Sequence, residues 1–244
     1  MQSALTQRDQ IFRHYQINKF KREGIVPTVT MTVQIDVTRM LQLKDIINAD
    51  RAFSSHITIT HIVTKAVADT LKEYPLLFCF FNGKEIIENQ VLAINIPVDV
   101  ENHVEYIVVH NPDSKPLSVI AEEFADELNR IRSGNGTFFN IIKQWHQTSS
   151  NLNSDPIEFL RRHHENFIIS NFGSFHIDNG SLALAQPIIS GLCVGSISPS
   201  YCGKYILPLT LSFDHRPVDG AYVGRFLNDV RKLLENPEKL FNYN

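Results

Sequence analysis

From position 28 the chain alternates. Val29, Met31, Val33, Ile35 and Val37 are separated by polar residues, chiefly threonine and glutamine. A period of two puts the apolar side chains on one face and predicts a half-buried strand. At Thr38 the period changes. Met40, Leu43, Ile46 and Ile47 fall at helical spacing and predict a helix from Thr38 through Ile47. A second helix is expected over Thr58–Tyr74, where Ile59, Ile62, Val63, Ala66, Val67 and Leu71 form one broad apolar face and Pro75 stops the run. Phe78–Asn82 reads as a strand that turns at Asn82-Gly83 into Glu85–Glu88. Alternation returns at Leu92, Ile94, Ile96 and Val98, and His103–His110 is a strand that would pair with it. Pro116–Arg132 is a helix with Leu117, Ile120, Phe124, Leu128 and Ile131 inward.

Ser133–Gly136 breaks that pattern. Residues 137–164 are polar with scattered aromatics and read as an irregular helical excursion. Strands are expected at Phe167–Asn171, Leu182–Ala185, Gly191–Ser196 and Tyr205–Phe213. A last helix over Asp219–Glu235 carries Phe226, Leu227, Val230, Leu233 and Leu234 on its apolar side. The first 26 residues are polar, with a short helix around Asp9–Tyr15. Strands and helices mix without strict alternation, repeat or linker. That predicts an α+β fold, a mixed, largely antiparallel sheet backed by helices. The expected organisation is an N-terminal arm over 1–26 and a single domain over 27–244.

Composition narrows the functions. With 244 residues, 43% hydrophobic and 20% charged, the chain can bury a full core without staples. A formal net charge of -3 sets up no field for nucleic acid or an anionic membrane. The N-terminus lacks the apolar stretch of a secretory signal, and no apolar run approaches a membrane span. Cys79, Cys193 and Cys202 have no metal-ligand spacing, and Cys79 reads as a core thiol. A cytoplasmic location and no metal are expected. His163-His164, among charged neighbours, reads as a solvated helix face, and Trp145 with Phe138 and Phe139 as packing. Gly191–Gly195 lacks the Lys-Ser/Thr of a phosphate loop.

The chemistry concentrates in Asp214-His215-Arg216-Pro217-Val218-Asp219-Gly220. This cluster joins the strand Tyr205–Phe213 to the last helix, a junction that presents polar groups on a rigid base. Pro217 keeps the strand from continuing, and Asp219 can accept the orphan N–H groups of the helix start. A neutral imidazole near pH 7 can take a proton from a thiol or hydroxyl, as acyl transfer requires.

These residues carry a resemblance. Leu209–Leu240, with its Asp214-His215-Arg216 and Asp219-Gly220, is similar to the end of the catalytic domain of the dihydrolipoamide acyltransferases of 2-oxoacid dehydrogenases, whose signature is Asp-His-Arg-x-x-Asp-Gly. Phe167-Ile-Ile-Ser170-Asn171-Phe-Gly173 resembles that family's Thr-Ile-Ser-Asn-Leu-Gly. The wider superfamily includes chloramphenicol acetyltransferase, to whose early strand and helix Thr28–Leu41 is similar. The resemblance implies a chloramphenicol acetyltransferase-like fold and direct acyl transfer between a thioester of coenzyme A and an acceptor. His215 would be the general base, and Ser170 would hydrogen-bond the tetrahedral oxyanion. Asp219 would hold the loop through a buried ion pair, with Arg8 a candidate partner. Asp214, Arg216, Gly220 and Asn171 would shape the active-site loop. The family also implies a homotrimer with its active sites between subunits.

The chain departs from that pattern in places. It carries no segment with room for a lipoyl or partner-binding domain, so no bound lipoyl group is expected. The run Glu105–His110 replaces a Gly-Leu-x-x-Pro-Val segment, and His164-Glu165-Asn166 replaces Gly-Gly-Thr. Three readings follow: a dihydrolipoamide acyltransferase core, a free-standing relative acylating a small molecule or carrier-protein thiol, or a trimeric scaffold without turnover.

Overall fold

The computed structural model describes residues 7, 8, 10–12, 26–50, 54–100, 103–149 and 166–241. In chain order its elements are β1 (Thr28–Asp36), α1 (Thr38–Asp50), α2 (Ile59–Leu71), β2 (Phe80–Phe81), β3 (Ile86–Ile87), β4 (Ala93–Val100), β5 (His103–His110), α3 (Leu117–Arg132), α4 (Thr137–Ser149), β6 (Phe167–Asn171), β7 (Ser190–Val194), β8 (Ser198–Pro199), β9 (Tyr205–Asp214), α5 (Gly220–Glu235) and α6 (Glu238–Phe241). One sheet dominates, in the order β1-β9-β7-β6-β4-β5, with β8 added on β9. β6 runs parallel to both its neighbours, β4 and β7. The other pairings are antiparallel. The architecture is the mixed, helix-backed α+β sheet that the alternation predicts.

α2 starts where Thr58 caps it. The Thr58 hydroxyl accepts from the His61 amide at 3.3 Å, and His61 Nδ1 accepts from the Thr58 amide at 3.3 Å. This reciprocal capping box satisfies two orphan donors. From His61 to Leu71 nearly every α2 side chain is buried, so α2 is the inner helix. α5 lays Val223, Phe226, Leu227, Val230 and Leu234 against β1 and α2. Each such side chain contributes about 1.5–3 kcal/mol on full burial. A smaller second core joins Ile11 and Phe12 to Tyr106 of β5 and to Phe138, Ile142 and Trp145 of α4.

Three expectations change. Thr137–Ser149 is a regular helix, because Phe138, Ile142 and Trp145 recur at helical spacing and bury against β5. Leu182–Ala185 is not a strand. β7 already has β6 and β9 on its two edges, and the Leu182 amide instead donates to the Ser212 hydroxyl at 2.9 Å. Phe78–Asn82 shortens to β2, since Pro75–Phe78 winds into a 3-10 turn first. The helix expected around Asp9–Tyr15 is described only at 10–12, where it is helical, and His163-His164 lies outside the described residues. Among the described residues, no helix is long and apolar enough to cross a membrane.

Candidate active site

β9 ends in a buried carboxylate. Asp214 is 1% exposed. It accepts from Arg216 Nε at 2.9 and 3.1 Å, from Nη2 at 2.5 Å and from the Arg216 amide at 3.0 Å. A buried carboxylate is tolerated only when its oxygens are this fully bonded. Arg216 is held in turn. Its guanidinium lies 4.9 Å over the Phe81 ring, and the Gln186 side-chain oxygen, turned toward it, accepts from Nη2 at 2.6 Å. Backbone bonds complete the turn: the Asp214 amide donates to Ile189 at 2.9 Å and the His215 amide to Pro27 at 3.0 Å.

His215 stands on this turn. Its Nδ1 lies 3.0 Å from the Val218 carbonyl oxygen. A carbonyl can only accept, so Nδ1 carries the proton. That leaves the Nε2 lone pair free, the tautomer a general base needs.

The buried ion pair expected of Asp219 is not seen among the described residues. Asp219 is exposed, and as the N-cap of α5 it makes no side-chain capping bond. Arg8 is not its partner, because Arg8 is paired with the buried Glu105 of β5. The ion pair that holds the loop is Asp214–Arg216. Gly220 opens α5, where an added Cβ would meet Met31 Sδ at an ordinary 3.8 Å, so sterics alone do not demand glycine.

Ser170 and Asn171 end β6. The Ser170 hydroxyl has no hydrogen-bond partner among the described residues. Asn171 is committed to structure: its Nδ2 donates to Thr60 Oγ1 at 2.9 Å and its Oδ1 accepts from the Ser174 amide at 3.3 Å. This ties the end of β6 to the first turn of α2. Gly173 follows, where an added Cβ would meet the Gly195 carbonyl oxygen at 2.5 Å, so the turn after Ser170 requires glycine.

Beside Ser170 opens a cleft of about 1020 Å³ between β4, β5 and β6 and helices α2 and α3. Ile96, Ile107, Phe124 and Leu128 are among its walls, and His61 lines it. His61 is 7% exposed, and burial pushes its pKa down to about 4, with repulsion from His56 adding to the effect. The sequence reading passed over His61, having looked only for shared metal spacing. The available signal was a histidine on the buried face of an otherwise apolar helix.

One copy of the chain does not bring Ser170 and His215 together. Ser170 is in register with Cys193, and Cys193 with Thr210, two strands across the sheet. His215 lies five residues farther along, toward the end of the sheet where β6 begins. Strand geometry makes that about 17 Å along and about 10 Å across, a separation on the order of 20 Å.

The family model of the 2-oxoacid dehydrogenases acyltransferase (catalytic domain) matches residues 12–138 and 134–242. The chain is 26% identical to the dihydrolipoyllysine-residue acetyltransferase component of the acetoin cleaving system of Bacillus subtilis (strain 168), over 87% of this chain and 50% of that protein. It spans about half the length of the curated relatives it matches. Among solved structures, the cubic core of the pyruvate dehydrogenase multienzyme complex matches with a TM-score of 0.74 at 24% identity, over 99% of this chain and 94% of that one. Chloramphenicol acetyltransferase matches with a TM-score of 0.52 at 11% identity, over 94% and 96%. These two likenesses show the fold.

Proposed function

The chain belongs to the 2-oxoacid dehydrogenase acyltransferase family, and from that premise we propose that it transfers an acyl group between a thioester of coenzyme A and a thiol acceptor, in sites built between copies of the chain. The observation that carries this reading is the free Nε2 of His215 on an anchored turn. Nε2 takes the proton from the acceptor thiol as its sulfur attacks the thioester carbonyl carbon. The carbonyl oxygen becomes an oxyanion and accepts a hydrogen bond from the Ser170 hydroxyl. The intermediate collapses, the carbon–sulfur bond to coenzyme A breaks, and the imidazolium returns its proton to the departing thiolate. Neither residue becomes acylated.

Base and oxyanion donor must both lie within about 3 Å of the reacting groups. A separation on the order of 20 Å within one copy therefore calls for His215 of one copy beside Ser170 of the next. A cyclic arrangement provides this, each copy giving one residue to each of its two interfaces. A trimer agrees with the cubic core that shares the fold. Residues 27–244 form the catalytic domain, and Arg8, Ile11 and Phe12 of the N-terminal arm clip onto β5 and α4. The acceptor is a dihydrolipoyl thiol, a choice supported by the name of the Bacillus subtilis relative, a dihydrolipoyllysine-residue acetyltransferase component. Three unpaired thiols, Cys79, Cys193 and Cys202, suit the cytoplasm.

The test incubates the protein and its His215→Ala variant with acetyl-CoA and dihydrolipoamide and follows acyl-dihydrolipoamide. Transfer by the wild type that the variant lacks supports the reading. Silence of the wild type across a panel of acyl-CoA donors and thiol or hydroxyl acceptors overturns it.

A further inference from the structure

The cleft beside Ser170 is far larger than two carbons need. Its volume of about 1020 Å³ lies at the top of the range for drug-sized ligand sites, roughly 300–1,000 Å³. Its wall is mostly hydrocarbon, with Ile96, Val98, Ile107, Phe124 and Leu128 along it. Ser170 is part of that wall, so the cleft starts where the proposed oxyanion donor is. Besides the oxyanion, three groups extend from the tetrahedral carbon: the incoming sulfur, the outgoing sulfur and the acyl chain. The two sulfurs belong to long carrier arms that must reach solvent, which leaves the acyl chain as the group that fills an apolar recess.

His61 adds a second, independent observation. Its Nδ1 is used by the α2 cap, where it accepts from the Thr58 amide, so the proton of the neutral ring is on Nε2. That Nε2–H has no partner among the described residues, although the side chain is 93% removed from solvent and lines the cleft. The ring is fixed edge-on to Phe124 at 4.6 Å. A donor that faces an apolar cleft without a protein partner gains from a ligand oxygen. Because Asn171 bonds Thr60, the chain positions of Ser170 and His61 lie close together on the cleft wall.

The lining also excludes a class. Among the described residues, no lysine or arginine lines the cleft, and the one carboxylate that does is Asp99. His61 stays neutral, its pKa held down to about 4 by burial. A chain ending in a carboxylate would lose its hydration there without gaining a cation.

We propose that this cleft is the acyl-chain pocket, and that it selects an uncharged, largely apolar acyl group longer than acetyl whose own neutral oxygen accepts a hydrogen bond from His61. The assignment rests on the acyl-transfer reading above, so its test includes a binding measurement that needs no turnover.

Calorimetry on the His215→Ala protein compares coenzyme A, acetyl-CoA, hexanoyl-CoA, 5-oxohexanoyl-CoA and glutaryl-CoA. Burial of a methylene is worth about fourfold in affinity, so hexanoyl-CoA is expected to bind at least about tenfold tighter than acetyl-CoA. Glutaryl-CoA is expected to gain nothing. Adding Ala125→Trp, which fills the cleft from its rim, is expected to erase the hexanoyl-over-acetyl ratio. Adding His61→Leu should leave that ratio and abolish any preference for the oxo chain over the plain one. In the catalytically competent protein the same ratios are read in kcat/KM. Chain-length-independent binding, or a hexanoyl preference that survives Ala125→Trp, overturns the pocket even if acetyl transfer proceeds. An oxo preference that survives His61→Leu overturns the role of His61. Chain-dependent binding without turnover by the wild type would keep the pocket and sink the transfer reading instead.

Discussion

Ser170 and His215 belong to one sheet, two strands apart, yet they occupy opposite ends of it. β6 runs parallel to β7 while β9 runs antiparallel, so the ends of β6 and β9 point in opposite directions. The topology puts His215 at one end of the sheet and Ser170 at the other. Under the proposed function, a repeated copy placed head to tail would join the two into whole sites.

Removing the base is the simplest test of the chemistry. His215→Ala should lower kcat by about 10²–10⁴-fold, the usual contribution of a positioned general base. Its stability should stay close to wild type, because His215 is exposed. Paired turnover and urea-melt measurements separate the two effects.

Removing the oxyanion donor should act on the transition state alone. Ser170→Ala is expected to cost about 10²–10³ in kcat. KM for the acyl donor should hardly move, since the hydroxyl bonds the oxyanion and not the ground-state carbonyl. A large rise in KM with kcat intact would assign Ser170 to binding instead.

Arg216→Leu should do two things at once. It strands the buried Asp214 carboxylate with only the backbone amide of residue 216 as donor. Breaking a buried pair costs about 3–5 kcal/mol; with a third of the arginine side chain exposed, the lower end, about 3 kcal/mol, is expected. The turn that presents His215 loosens with it, so kcat falls as stability does. Lysine at the same position restores the charge but not the two-pronged bond, and should recover only part of either.

Acid should weaken the fold through His61. Its pKa falls from 6.5 in the unfolded chain to about 4 in the fold, so the unfolded state takes up the proton first. The resulting loss begins near pH 6.5, grows as the pH drops toward 4, and totals about 3 kcal/mol. His61→Leu removes this contribution. Urea midpoints of both proteins at pH 7 and pH 4.5 measure it, and equal slopes with pH would show that His61 does not titrate this way.

Much of this was legible in the residues because the signals were local. Period-two runs gave β1 and β4, β5 followed as the strand to pair with β4, and the broad apolar face of 58–74 gave α2. The polar cluster at 214–220 marked the turn that carries His215. What failed depended on distant partners. Leu182–Ala185 has strand composition but finds both edges of β7 taken. Thr137–Ser149 is amphipathic only toward β5 and the N-terminal segment, which a polar-looking stretch does not reveal. Arg8 was free in sequence terms to meet any acid, and Glu105, buried on β5, captures it. His61 needed the cleft before it meant anything. The separation of Ser170 from His215 is a property of strand order, which no short motif encodes.

The central claim is that whole sites form only between copies, and co-assembly tests it most directly. His215→Ala and Ser170→Ala chains, each with a different affinity tag, are co-expressed, and oligomers carrying both tags are isolated. Every cyclic trimer that holds both chains pairs an intact His215 with an intact Ser170 at one of its interfaces. Activity should therefore recover to about a third of wild type, far above either parent oligomer. Activity no higher than the mean of the two parents, in oligomers shown to hold both chains, would contradict a site shared between subunits.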